Sequence, residues 1–220
     1  MSTPSSPSRS AAWVTGVGSK PVEPWRAIAI YSATIALGDN EAMSAGIDLA
    51  RRSGVGRPVL YEIVLQSYLF LGFPRMLGAA EILAECWPLT AENKAHRPDL
   101  QIQSWWDRGQ ENFSWVYGDK AERLKSRVEG FAPEVFDWMI IEGYGKVLSR
   151  PQLDMPLREL SIIAFLVVDY RPKQLMSHLL GAVRVGTPPS RIVQTIEDLR
   201  GIVPSVYKEV RQMLVRCGMT

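Results

Sequence analysis

Two side chains in this sequence have the type and setting for proton chemistry. Glu159 sits in PLRELSIIAFLVV, where most neighbours are apolar, and His178, one of two histidines in the chain, follows in the next segment. Glu159 stands roughly ten residues before a turn near Tyr170 and His178 roughly eight after it. At about 1.5 Å of rise per residue their axial heights are roughly 15 and 12 Å, so two antiparallel helices bring the pair nearly level. A carboxyl and an imidazole held together away from water can pass a proton to and from a substrate. The same contact can instead be a hydrogen bond that staples two core helices.

The stretch that holds this pair, Pro156 to Gly186, aligns without a gap on Pro24 to Gly54 when the chain is shifted by 132 positions. Pro, Arg, Ile, Ala, Arg and Gly then coincide at 24/156, 26/158, 30/162, 50/182, 52/184 and 54/186. Where Glu159 and His178 stand, the earlier copy has Ala27 and Gly46. The pattern is that of a tandem duplication in which one copy alone carries the polar pair.

Composition narrows the function classes. With 46% hydrophobic residues in 220, the chain can bury a sizeable core, and a net charge of +2 spread along it offers no basic surface for nucleic acid. No apolar run approaches the roughly 20 residues of a membrane span. The N-terminus lacks a signal peptide's pattern, so a cytoplasmic location is expected. Cys86 and Cys217 stand apart, as buried thiols in a reducing compartment do. His96, between Lys94 and Arg97, reads as a solvated loop residue, and no cluster has metal-ligand spacing.

No period-two strand appears, so the expected fold is all-α. Residues 1–23, rich in Ser, Pro and Gly, read as a mobile arm whose Trp13 and Val14 can dock on a neighbour. Residues 24–86 form the first helical repeat: Pro24 opens a helix ending near Gly38, Asn40 to Arg52 a second, Pro58 a buried third and Pro74 a fourth. Residues 87–104 read as a linker, and 105–220 as the domain carrying the site. There Asp154 can cap the helix opened by Pro156, and Pro172 opens its partner.

Several stretches resemble the carboxymuconolactone decarboxylase and alkylhydroperoxidase-D-like superfamily. They are Trp105-Trp106-Asp107-Arg108-Gly109, Val116-Tyr117-Gly118-Asp119, Gly145 to Leu153 (GKVLSRPQL), and the series R-E-L, S-H-x-x-G-A, G-T and G-x-x-P that follows. The resemblance covers about residues 105–217, with 24–86 similar to a second copy of the helical core. It implies a helical bundle that assembles as a homo-oligomer, a trimer or a multiple of it, and catalysis by Glu159 and His178. In the hydroperoxidase branch a C-x-x-C pair opens the histidine's helix. Arg171 and Gln174 occupy those positions here, so the thiolate that peroxide reduction needs is missing.

The decarboxylase branch lacks the cysteines too. Loss of carbon dioxide from a small carboxylated lactone needs no cofactor, but it needs a cation on the carboxylate and a proton for the carbon skeleton. The resemblance assigns the proton to Glu159 or His178 and the carboxylate to Arg150 or Arg171. Tyr144 replaces the family's usual Trp in the pocket wall. Glu62 and Tyr170 read as satisfied or packing residues, and Trp105-Trp106 as a packing pair. The expected function is a cofactor-independent lyase. A hydroperoxidase-type antioxidant and a non-catalytic assembly protein are the alternatives.

Overall fold

The computed structural model describes residues 6–90 and 101–219, and among them every regular element is helical. The chain runs through α1 (Arg9–Val17), α2 (Pro24–Leu37), α3 (Asn40–Arg52), α4 (Arg57–Leu71), α5 (Phe73–Cys86) and α6 (Ile102–Tyr117). It continues with α7 (Ala121–Glu129), α8 (Pro133–Trp138), a π-helical segment (Met139–Val147), α9 (Met155–Val168), α10 (Pro172–Arg184), α11 (Pro189–Leu199) and α12 (Tyr207–Arg216). Prolines sit in the first turn of α2, α4, α5 and α8 to α11, where their missing N–H removes no helical bond. Asp39 and Asp154 accept from the backbone N–H groups of Ala42 and Leu157 and so cap α3 and α9.

Helices α2 and α9 lie side by side at the centre, joined by a 2.7 Å hydrogen bond between the Ser32 and Ser161 hydroxyls. Both are apolar nearly all round because each is covered on several sides: α3 and α4 cover α2, and α10 and α11 cover α9. Each central helix also touches the other half, α9 against α4 and α2 against α11. The 132-residue spacing recurs in the elements. Helix α10 starts and ends 132 positions after α3, and the left-handed residue closing α2, Gly38 at φ 67°, corresponds to Tyr170 at φ 47° after α9.

Buried charge crosses between the halves. Arg158 on α9 is fully buried. It donates to Glu62 Oε2 and Gln66 Oε1 of α4 and to the carbonyls of Leu153 and Arg150. The corresponding Arg26 on α2 makes a two-pronged pair with Asp198 of α11, which also accepts from Gln194. Each arginine thus reaches an acid on the other half's helix with a glutamine one turn away from it, which Arg158 contacts directly and which in the Arg26 cluster donates to the acid instead. In α4 the acid comes first and in α11 the glutamine does.

Residues 9–17, expected within a mobile arm, form α1 instead. Val14 is buried, and the Trp13 indole donates to the Asp198 carbonyl at 2.9 Å, an anchor that gives this short helix its place. Of the expected linker, residues 91–100 with His96 lie outside the described residues, and α6 begins at Ile102. The π segment packs on α6 through glycines. A Cβ on Gly109 would collide with the Ile140 carbonyl, and one on Gly145 with that of Trp105, so bare backbones set the approach.

Removing one partner from a buried ion pair leaves an uncompensated charge. Glu62→Gln should therefore destabilise the fold by about 3 kcal/mol or more, read from urea unfolding.

Candidate active site

Glu159 follows Arg158 on α9, and His178 lies at mid-length on α10. The tight left-handed turn at Tyr170 folds α10 back along α9, and the two side chains meet with His178 Nδ1 2.9 Å from Glu159 Oε2. Gly181 keeps the junction close. A Cβ there would press on Val116 Cγ1 at 2.9 Å and lie 3.6 Å from Glu159 Oε2. A carboxylate that accepts from Nδ1–H fixes the neutral imidazole in the tautomer whose Nε2 lone pair is free.

His178 opens onto a cavity of about 430 Å³. Glu159 does not line it, and its second oxygen, Oε1, is buried with no hydrogen-bond partner among the described residues. The two residues expected to share the chemistry therefore divide it: the imidazole faces the cavity and the carboxylate stands behind. Phe70, from α4 of the first half, meets the imidazole edge-on at 5.5 Å. Met139, Leu148 and Trp138 supply further apolar wall, and Gln174 an amide.

Tyr144 also lines the cavity, as expected, and brings a partner that sequence reasoning did not single out. Its hydroxyl donates to that of Tyr117 at 3.0 Å, and both phenols pack around Phe113. Burial, the neighbouring Tyr117 and the Glu159 charge push the Tyr144 hydroxyl well above the ordinary tyrosine range. Burial pushes Tyr117 up to about 12. Both therefore stay protonated at neutral pH. Tyr144 spends its proton on Tyr117, so the Tyr117 O–H is not used in that bond, and Tyr117 lines the cavity.

The expected carboxylate-holding arginines are elsewhere. Arg150 Nε lies 2.9 Å from both Glu62 oxygens and joins the buried Arg158 cluster, so its charge is committed to a carboxylate of the protein. Arg171 pairs with Asp169 on the exposed turn. Among the described residues lining this cavity there is no lysine or arginine. Glu62 is satisfied by its neighbours, and Tyr170 reaches Glu209 at the surface. Signals for the missed residues were present: Tyr117 lies in the Val116-Tyr117-Gly118-Asp119 stretch, and Gln174 lies one turn before His178 on the same helix. Nothing in the sequence points from Phe70 to His178.

The arrangement can do acid–base chemistry on carbon. Nε2 can take or give a proton, and Tyr117 can stabilise negative charge on an adjacent oxygen, in a cavity whose wall is mostly apolar but also carries the Glu142 carboxylate. Among the described residues no helix is long and apolar enough to cross a membrane.

No protein-family model matches the chain. A relative, "Peroxisomal protein 2" of Schizosaccharomyces pombe, is 29% identical over 154 residues, which are 69% of this chain and 70% of that protein. Its name states a compartment and no reaction.

Tyr117 keeps its proton in the fold after the unfolded chain has begun to lose it. Its contribution to stability is therefore complete below pH 10 and is lost as pH rises from 10 towards about 12. Tyr117→Phe should make the fall in stability across that window shallower, as measured by urea unfolding at a series of pH values.

Proposed function

We propose that the protein is a cofactor-independent acid–base enzyme of the carboxymuconolactone decarboxylase type, acting on a small carboxylated lactone at His178. The observation that carries this reading is the imidazole itself: it is backed by a buried carboxylate, opens onto an apolar cavity, and stands with a protonated phenol in the same wall. In the reaction the carboxylate carbon leaves as carbon dioxide and its bonding electrons move into the conjugated lactone. Tyr117 holds the developing negative oxygen. His178, having first taken a proton from solvent at Nε2, then delivers it to carbon and returns to the neutral ring, and Glu159 stabilises the imidazolium before that transfer and orients the ring after it.

The same reading takes the two halves as copies of one unit, of which the second alone keeps the pair. It also carries a homo-oligomer, in which copies would cover apolar groups now exposed, among them Phe73, Leu77, Phe131 and Trp138. The relative's name sets the peroxisome beside the cytosol as a compartment, a choice that co-localisation of the tagged chain with a peroxisomal marker decides.

A thiol peroxidase has less support. Cys86 donates to Ser44 and Cys217 lies 3.3 Å from the Met176 sulfur, and neither lines the cavity. Burial raises the Cys217 thiol, which disfavours the reactive thiolate. One observation favours a non-catalytic protein instead: Glu159 is sealed from the cavity, as a purely structural staple would be.

Carbon dioxide release from 4-carboxymuconolactone and related lactone acids tests the proposal. His178→Gln should lower turnover by roughly 10²–10⁴-fold while circular dichroism shows an intact fold. Turnover that survives this change would rule out His178 as the acid. A folded wild type inactive on every lactone acid would favour the binding protein.

A further inference from the structure

A carboxylated substrate at His178 needs a cation, and its cavity offers none. The nearest set lies across Tyr117. A second hollow of about 320 Å³ opens between α7 and α10, lined by Tyr117, Lys120, Arg123 and Arg127 on one side and by Ser177 and Arg184 on the other. Lys120, Arg123 and Arg127 follow at spacings of three and four, so they share a face and repel one another.

Arg184 is held by the Val116 carbonyl and by Asp119. Among the described residues Lys120, Arg123 and Arg127 have no acidic partner within ion-pair distance, and no acidic side chain lines the hollow. A set of cations around a hollow, three of them with no protein counter-charge within ion-pair distance among the described residues, is what an anion would complete.

The two hollows are neighbours. Tyr117 lines both, and adjacent residues of α10 divide between them, Ser177 facing the basic one and His178 the apolar one. The Arg127 charge is near enough to act on the Tyr117 hydroxyl. We propose that the basic hollow is an anion subsite. It holds a carboxylate or phosphate group of a two-part ligand whose apolar body lies in the cavity at His178, with Tyr117 between them. The subsite supplies the positive charge that Arg150 and Arg171 do not. The inference rests on the acid–base reading only for which end of the ligand reacts.

Calorimetric titration with phenyl phosphate, phenylacetate, inorganic phosphate and benzyl alcohol tests it. The two tethered anions should bind more tightly than inorganic phosphate or the neutral alcohol. Arg123 and Arg127 are exposed and repel each other, so the double variant Arg123→Gln/Arg127→Gln should unfold at or slightly above the wild-type midpoint. It should lose roughly tenfold or more in affinity for both tethered anions and none for benzyl alcohol. Tighter binding of phenyl phosphate assigns the subsite to phosphate esters, and tighter binding of phenylacetate to carboxylates.

Anion affinity equal in wild type and double variant, or no binding of either anion, would overturn the subsite. His178→Gln should keep the anion affinity. Lactone turnover that survives His178→Gln, with anion binding still lost in the double variant, would defeat the acid–base reading and leave the subsite standing.

Discussion

The site depends on a charge that has no access to water. The Arg158 guanidinium is fully buried, and burial lowers its pKa despite the contact with Glu62. Such a group is tolerable only with its donors satisfied, and here two side chains of α4 and two backbone carbonyls do this. Glu62, Gln66 and Phe70 stand at four-residue intervals on α4, along one face. The cluster that fixes Glu62 and Gln66 against α9 therefore also fixes Phe70 against His178. A residue from the first half becomes a wall of the site in the second, and Arg158, next to Glu159 in sequence, ties both walls to one point.

The two halves share this framework and differ in what they do with it. Arg26 repeats the reach of Arg158 in the opposite direction, to Asp198. Without a glutamate at 27 or a histidine at 46 the framework encloses no comparable pair. A Cβ on Gly46 would meet Thr34 Oγ1 at 3.1 Å and the Tyr31 ring at 3.3 Å, so neighbours already fill the space a larger side chain would need. The Tyr31 hydroxyl is buried there without a partner among the described residues, and burial raises its pKa strongly. The framework thus holds a site only where the glutamate and the histidine occur together.

Much of the fold was legible because proline, aspartate and glycine punctuate it. Pro24, Asp154 and Pro172 marked helix starts, and the bounds of α3 and α10 follow the 132-residue spacing. The meeting of Glu159 and His178 followed from helical rise alone. Direction was less legible. Spacing shows that Arg150 is near the site but not that Glu62, from a distant helix, claims it. The phenol pair depends on α6 closing onto the π segment at Gly109 and Gly145, a contact between backbones that leaves only two glycines in the sequence. Residues 9–17 looked irregular because Ser, Gly and Thr dilute the helical pattern. Their order comes from tertiary anchors at Val14 and Trp13 rather than from local propensity.

The central claim is that Glu159 directs the His178 ring so that Nε2 faces the cavity as the proton-transferring atom. Nitrogen NMR of the ring in isotope-labelled protein tests this most directly. The account requires the neutral imidazole to carry its proton on Nδ1, with Nε2 unprotonated, and requires this preference to weaken in folded Glu159→Gln. A neutral ring with its proton on Nε2, or a tautomer unchanged by Glu159→Gln, would contradict it.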